Sequence, residues 1–195
     1  RIEQDFFWMA KHQPESIELS NQSELWAGMA VQGPNAPQVF AKLFPGVELP
    51  KRNGILRFTS QGQELVVCRT GYTGEDGFEF FSPAADGGTW LKAFVAAGAK
   101  PCGLGARDSL RLEMGYPLNG NDLSEELTPI EAGLGFFVDL QKSDFIGRDV
   151  LVRQKSEGIS RKLVGLQYTD KGAPPRAHYA VETTSGEVIG EPGLG

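Results

Sequence analysis

Residues 69–83 read Arg-Thr-Gly-Tyr-Thr-Gly-Glu-Asp-Gly-Phe-Glu-Phe-Phe-Ser-Pro, with Gly71, Gly74 and Gly77 close together and Glu79 set among phenylalanines. Side chains of a strand alternate between faces, so Phe78 and Phe80 share one face while Glu79 and Phe81 share the other. Two phenylalanines can then enter a core while a carboxylate stands beside an aromatic ring on the opposite side. One reading is an ordinary solvent-facing acid, since exposed acids are the rule. The other is a binding group: an ionised glutamate accepts two hydrogen bonds side by side and suits a flat ring with adjacent N–H donors. The guanidine-like edge of a pterin has that donor pair. The glycines permit positive φ and close backbone approach, which suggests a loop shaped around a ligand. It is not a phosphate loop, because the Lys-Ser/Thr end is missing and the acids would repel phosphate.

A second stretch, Gly-Leu-Gly-Ala-Arg-Asp-Ser-Leu-Arg-Leu-Glu-Met-Gly at 103–115, reads as a helix over Leu104 to Met114. Arg111 has Asp108 three residues back, which a plain surface ion pair explains. Arg107 has Gly103, Leu104, Leu110 and Arg111 at the helical spacings, none acidic. It borders the stripe Ala106–Leu110–Met114, which is expected to face the core. Such an arginine either snorkels to water or pairs with a distant carboxylate or ligand.

These residues need a scaffold. Residues 2–12 read as a helix with Phe6, Phe7, Met9 and Ala10 on an apolar face. Residues 25–33 read as a strand, and Pro34 opens a helix running to Phe44. Ile55–Ser60 and Glu64–Thr70 form a hairpin across Gln61-Gly62-Gln63, and Asp76–Phe81 form a further strand. Residues 89–97 carry helical periodicity that Gly98 terminates. Tyr116 to Thr128 make a polar loop, Gly133–Leu140 a strand, and residues 145–158 a last helix ended by Gly158. Beyond it, Arg161–Asp170, His178–Ser185 and Gly186–Gly190 read as short strands. The change of texture places a domain boundary near 145–158: an α+β region over 1–150 and the beginning of a β domain over 151–195. Hairpin-like links favour antiparallel sheet over a doubly wound parallel fold.

The chain has 195 residues, 40% of them apolar, which supports a packed core rather than disorder. A net charge of −6 argues against nucleic acid or an anionic membrane as the main partner. No apolar run approaches the roughly 20 residues of a membrane span. Two cysteines and two histidines, with no clustered spacing, make a structural zinc site unexpected and fit a reducing compartment.

The motifs RTGYTGEDGFEF and PCGLGARDSLRLEMGYPLNGNDLSEELTPIEAGLGF, followed by DFIGRDVLVRQKSEGISRKLVGL and PPRAHY, resemble the T protein of the glycine cleavage system. The resemblance runs from about residue 1 to about 190. It implies ferredoxin-like α+β elements followed by a C-terminal β-barrel-like domain. It implies an aminomethyltransferase that moves a one-carbon unit from the lipoyl arm of H protein to tetrahydrofolate and releases ammonia. It carries the pterin-binding role to Glu79, with Tyr72 nearby, and a ligand contact to Arg107. The family's catalytic aspartate lies upstream of the stretch present here and a further arginine downstream. A fragment inactive on its own is therefore expected, with a barrel that does not close, leaving residues 159–195 mobile or paired with another copy. The compartment implied is the bacterial cytoplasm, or the mitochondrial matrix in a eukaryote. Flavin-linked dimethylglycine and sarcosine dehydrogenases carry similar motifs in their folate-binding half, and a non-catalytic folate-binding fragment is a further alternative. Folate-binding proteins of the iron–sulfur maintenance type use Lys-Gly-Cys-Tyr-x-Gly-Gln, against which Arg-Thr-Gly-Tyr-Thr-Gly-Glu counts.

Overall fold

The computed structural model describes residues 1–172 and 179–191. The chain divides into two compact units, Arg1–Gly103 and Leu104–Gly195. The compositional boundary at 150/151 lies inside the second.

In the first unit, helix α1 (Ile2–His12) is followed by strand β1 (Trp26–Gln32) and helix α2 (Ala36–Leu43). Then come β2 (Ile55–Ser60), β3 (Gln63–Cys68), β4 (Gly77–Pro83) and helix α3 (Gly87–Ala97). The strands form one sheet in the order β1-β4-β3-β2. Every neighbouring pair is antiparallel, so the α+β class with antiparallel sheet holds.

One face of this sheet is apolar because β4 alternates as its sequence does. Phe78 and Phe80 are fully buried with Leu65 and Val67, against Val39, Phe40 and Phe44 on and beside α2 and Trp90 and Phe94 on α3. Phe80 is central, with ring centroids 5.2 Å from Trp90 and 5.0 Å from Phe94. The indole N–H of Trp90 donates to Gln63 Oε1 at 3.2 Å, so its polar end is satisfied at the edge of the core. Gly98 ends α3 at φ 113°: its N–H bonds the Val95 carbonyl, while the N–H of Ala99 reaches back to Phe94. This Schellman closure is why glycine is required there. Helix α2 begins two residues later than expected, with Pro37 rather than Pro34 in its first turn. On the apolar side of α1, Phe7 is 64% and Met9 46% exposed, while Phe6 and Ala10 are half-buried.

The second unit holds α4 (Leu104–Glu113), α5 (Arg148–Glu157) and a two-stranded antiparallel pair, β5 (Val181–Glu182) and β6 (Val188–Gly190). Two expected strands are absent. Gly133–Leu140 instead contains a 3-10 turn, Gly135–Phe137, leaving Phe136 and Phe137 exposed. Its backbone is committed to a preceding turn: Leu134 N–H bonds the Pro129 carbonyl, and Gly133 sits at φ 73°. Residues 161–170 form no strand, and Leu163 N–H bonds the Glu131 carbonyl of that same turn. An apolar pattern of period two makes a strand only where a partner edge is available. The sequence motif at 174–179 lies mostly outside the described residues, and His178 lies outside them. No barrel is seen among the described residues.

Candidate ligand site

Glu79 lies at the middle of β4 with its side chain on the face opposite the core that α2 and α3 cover. Register places Ala30 of β1 on one side and Cys68 of β3 on the other, with Ile55 of β2 beyond Cys68. The adjacent row runs Gly28, Phe81, Val66 and Arg57. Small residues therefore flank the carboxylate. The Phe81 ring lies over Gly28, where an added Cβ would stand 3.2 Å from Phe81 Cε1. Glu79 and Phe81 are both half-buried. The expected pairing of an acid and an aromatic ring on one face, backed by a phenylalanine core on the other, is what β4 displays.

The carboxylate is held. Thr70 Oγ1 donates to Glu79 Oε2 at 2.5 Å. Beside it the Cys68 thiol is pushed up from its ordinary value, by burial first and by the Glu79 charge second, with Arg57 opposing. Cys68 therefore stays a neutral neighbour near pH 7.

The loop from Arg69 to Asp76 is built from within. The carboxylate of Asp76 accepts from Arg69 Nη2 at 2.8 Å and Nε at 3.2 Å, and from its neighbour Gly77 N–H at 2.9 Å. The Arg69 bonds are the largest cause holding the Asp76 carboxyl below its usual range. Gln32 of β1 reaches under the loop: its amide nitrogen donates to the Thr70 carbonyl at 3.2 Å and the Phe78 carbonyl at 3.1 Å. A Cβ on Gly71 would lie 1.9 Å from Gln32 Oε1, and one on Gly77 would lie 2.5 Å from the Val31 carbonyl oxygen. Gly74 takes φ 78°. Each glycine thus has a cause inside the fold. Gln32 itself, 37 positions before Arg69 in the chain, gives no local sequence signal.

Tyr72 belongs to this loop and is half-buried, in the same unit as Glu79. Arg107 is exposed on α4 of the second unit.

The arginine of α4 that departs from expectation is Arg111. It is 1% exposed, and it is no surface ion pair. Its Nε meets Asp108 at 2.8 Å, and Nη1 meets Asp122 at 2.5 Å and the Tyr116 carbonyl at 3.1 Å. Asp122 also accepts the Leu118 N–H at 2.8 Å. Burial works against the Arg111 charge, but the two carboxylates outweigh it and hold the guanidinium above its ordinary range. The stripe expected in the core is exposed instead, Leu110 at 40% and Met114 at 49%. Asp122 sits eleven residues beyond Arg111, outside helical spacing, so a neighbour count along the helix does not find it.

A further junction ties the loops of the second unit together. Thr128 and Glu131 cap one helical turn reciprocally: Thr128 N–H donates to Glu131 Oε2 at 2.9 Å, and Glu131 N–H donates to Thr128 Oγ1 at 3.2 Å. Glu131 also receives Arg161 Nε at 2.9 Å, and Thr128 Oγ1 donates to Gln154 Oε1 at 2.8 Å. The Thr-x-x-Glu spacing is the signature of such a box.

Among the described residues no group of three or more His, Cys, Asp or Glu is placed to hold a metal ion. No helix among them is long and apolar enough to cross a membrane.

The family model described as the GCVT N-terminal domain matches residues 1–142. The chain belongs to the GCVT family. It is 47% identical over 200 aligned positions to an aminomethyltransferase of Geobacillus sp. (strain WCH70), covering 97% of this chain and 53% of that protein. It is 43% identical over 188 positions to an aminomethyltransferase of Listeria monocytogenes serotype 4a (strain HCC23), covering 94% of this chain and 51% of the relative. The crystal structure of glycine cleavage system aminomethyltransferase T from Bartonella henselae superposes with a TM-score of 0.80 at 32% identity, over 97% of this chain and 52% of that one. This GCVT chain therefore spans about half the length of the relatives it matches.

Proposed function

We propose that this chain supplies the folate-holding part of an aminomethyltransferase of glycine cleavage. The protein would take the one-carbon unit from the aminomethyl-lipoyl arm of H protein, pass it to N5 of tetrahydrofolate and release ammonia and the reduced lipoyl arm. The observation that supports this most is Glu79: a half-buried carboxylate on the face of a sheet opposite its α2/α3 core, flanked by Ala30 and Cys68, with Phe81 on the same face. That set fits a pterin, whose ring N–H and amino group need a carboxylate and whose faces need apolar surface. Tyr72 and Arg107 complete the proposed contacts, Arg107 meeting the substrate with its guanidinium.

Catalysis in such a site is mainly positioning: tetrahydrofolate is held so that its nitrogen meets the incoming carbon. Glu79 and Arg107 are orienting groups, not proton carriers. Bacterial relatives of this name support a cytoplasmic setting. The match of the GCVT N-terminal domain ending at residue 142 supports reading 151–195 as the start of the next domain.

The test is Glu79→Gln in the full-length protein. It keeps the shape and removes the charge, so tetrahydrofolate affinity should fall by about 1–3 kcal/mol, the scale of one charge-assisted hydrogen bond. The thermal midpoint should hold, since the side chain is not in the core. Unchanged affinity in a calorimetric titration removes Glu79 from the site.

A further inference from the structure

Thr70 has an unusual position for a loop threonine. It stands just past β3, and its backbone is fixed from β1: the Gln32 amide nitrogen donates to the Thr70 carbonyl at 3.2 Å. The same nitrogen donates to the carbonyl of Phe78, the residue before Glu79, at 3.1 Å. An amide NH2 has two hydrogens, and both are used here. One side chain therefore ties the residue bearing the hydroxyl to the strand segment bearing the carboxylate. Gly71 is what lets Gln32 reach that place, because a Cβ there would stand 1.9 Å from Gln32 Oε1.

The hydroxyl so placed donates to Glu79 Oε2 at 2.5 Å. An ionised carboxylate only accepts, so the proton of this bond belongs to Thr70. A carboxylate has about four lone-pair sites, of which this bond takes one. The flanking residues on the same row, Ala30 and Cys68, offer no strong competing donor.

We infer that Thr70 is a positioning residue for Glu79: with its backbone anchored by Gln32, its hydroxyl sets the rotation of the carboxylate before the flat, N–H-bearing ring of the substrate arrives. This rests on Glu79 being the folate acceptor. A glutamate side chain left to rotate loses conformational freedom when a ligand captures it, and ordering it beforehand removes that cost. Thr70 touches no reacting atom; it acts only through Glu79.

Five forms of the full-length protein test this by titration with tetrahydrofolate: Thr70→Val, Thr70→Ser, Glu79→Gln, Glu79→Ala and the Thr70→Val/Glu79→Ala double variant. Valine keeps the shape of threonine and loses the hydroxyl; serine keeps the hydroxyl. Thr70→Val should weaken binding roughly five- to tenfold and Thr70→Ser by less than about twofold, the scale of one hydrogen bond lost or kept. In the Glu79→Ala background, where no oxygen is left at position 79 to accept from the hydroxyl, Thr70→Val should add nothing, since residues acting through one another are not additive. A purely structural threonine would cost the same factor in both backgrounds, and that result overturns the proposal. So does a Thr70→Val protein that binds like wild type while Glu79→Gln is weakened, which leaves the folate reading intact. Wild-type binding by Glu79→Gln removes the folate reading itself, and the positioning role with it.

Discussion

At the scale of single residues, two arginines one helical turn apart sit in opposite surroundings. Arg111 is buried between two carboxylates, and Asp122 is nearly as enclosed, its side chain 12% exposed. Arg111→Ala leaves Asp122 without its cation and should destabilise the protein by about 3–5 kcal/mol. Arg107 is exposed, and Arg107→Ala should cost no more than about 1 kcal/mol of stability, the scale of an exposed contact. On the proposed function it should nevertheless lower substrate affinity. Denaturant unfolding paired with tetrahydrofolate titration separates the two. Equal unfolding midpoints for the two variants would contradict the buried network. The sequence marks Arg107 as the one without an acidic neighbour and Arg111 as ordinary. That neighbour count goes astray for Arg111 because Asp122 comes from the following loop. Glu79 was legible for the opposite reason: the period of a strand fixes its face regardless of what lies far away.

At the scale of elements, the glycine loop and the capped turn carry separate consequences. Gln32 fills the space that Gly71 leaves, and its two bonds to main-chain carbonyls keep it from swinging aside. Gly71→Ala should therefore destabilise by about 1–3 kcal/mol, as overpacking does. Adding Gln32→Ala should recover part of the loss by removing the clash. If the double variant is no more stable than the sum of the single losses requires, the glycine is there for another reason.

Glu131 answers to pH. The Thr128 backbone N–H, then the Arg161 guanidinium, hold its carboxyl below the ordinary 4.5. The unfolded chain thus takes up this proton first on acidification. The stability Glu131 contributes is complete above its unfolded pKa and disappears as pH falls through the lower folded one. Glu131→Gln should be less stable than wild type by a constant margin between about pH 6 and 8, a margin that narrows below about pH 4.5. A gap that persists unchanged into acid would assign the effect to packing instead. The Thr-x-x-Glu signal of this box is present in the sequence within a stretch that reads only as polar loop and strand. The helices α1, α3, α4 and α5 and the strands of the first unit followed from local period and glycine stops. The expected strands at 133–140 and 161–170 did not form, because a strand needs an edge to pair with and local pattern does not say whether one is near.

At the scale of the whole molecule, the first unit has the stronger core, a sheet with Phe78 and Phe80 locked between α2 and α3. The opposite face of that sheet carries the carboxylate that the proposed activity depends on. Family membership and the 0.80 TM-score agree with that architecture, while the chain spans about half of each relative. The most direct test of the central claim is a crystal structure of the full-length protein with bound tetrahydrofolate. The account predicts the pterin ring N–H and amino group at roughly 2.7–3.0 Å from the Glu79 carboxylate, with Thr70 still donating to its other side. A pterin bound with Glu79 turned to solvent, or bound on another surface, would contradict it.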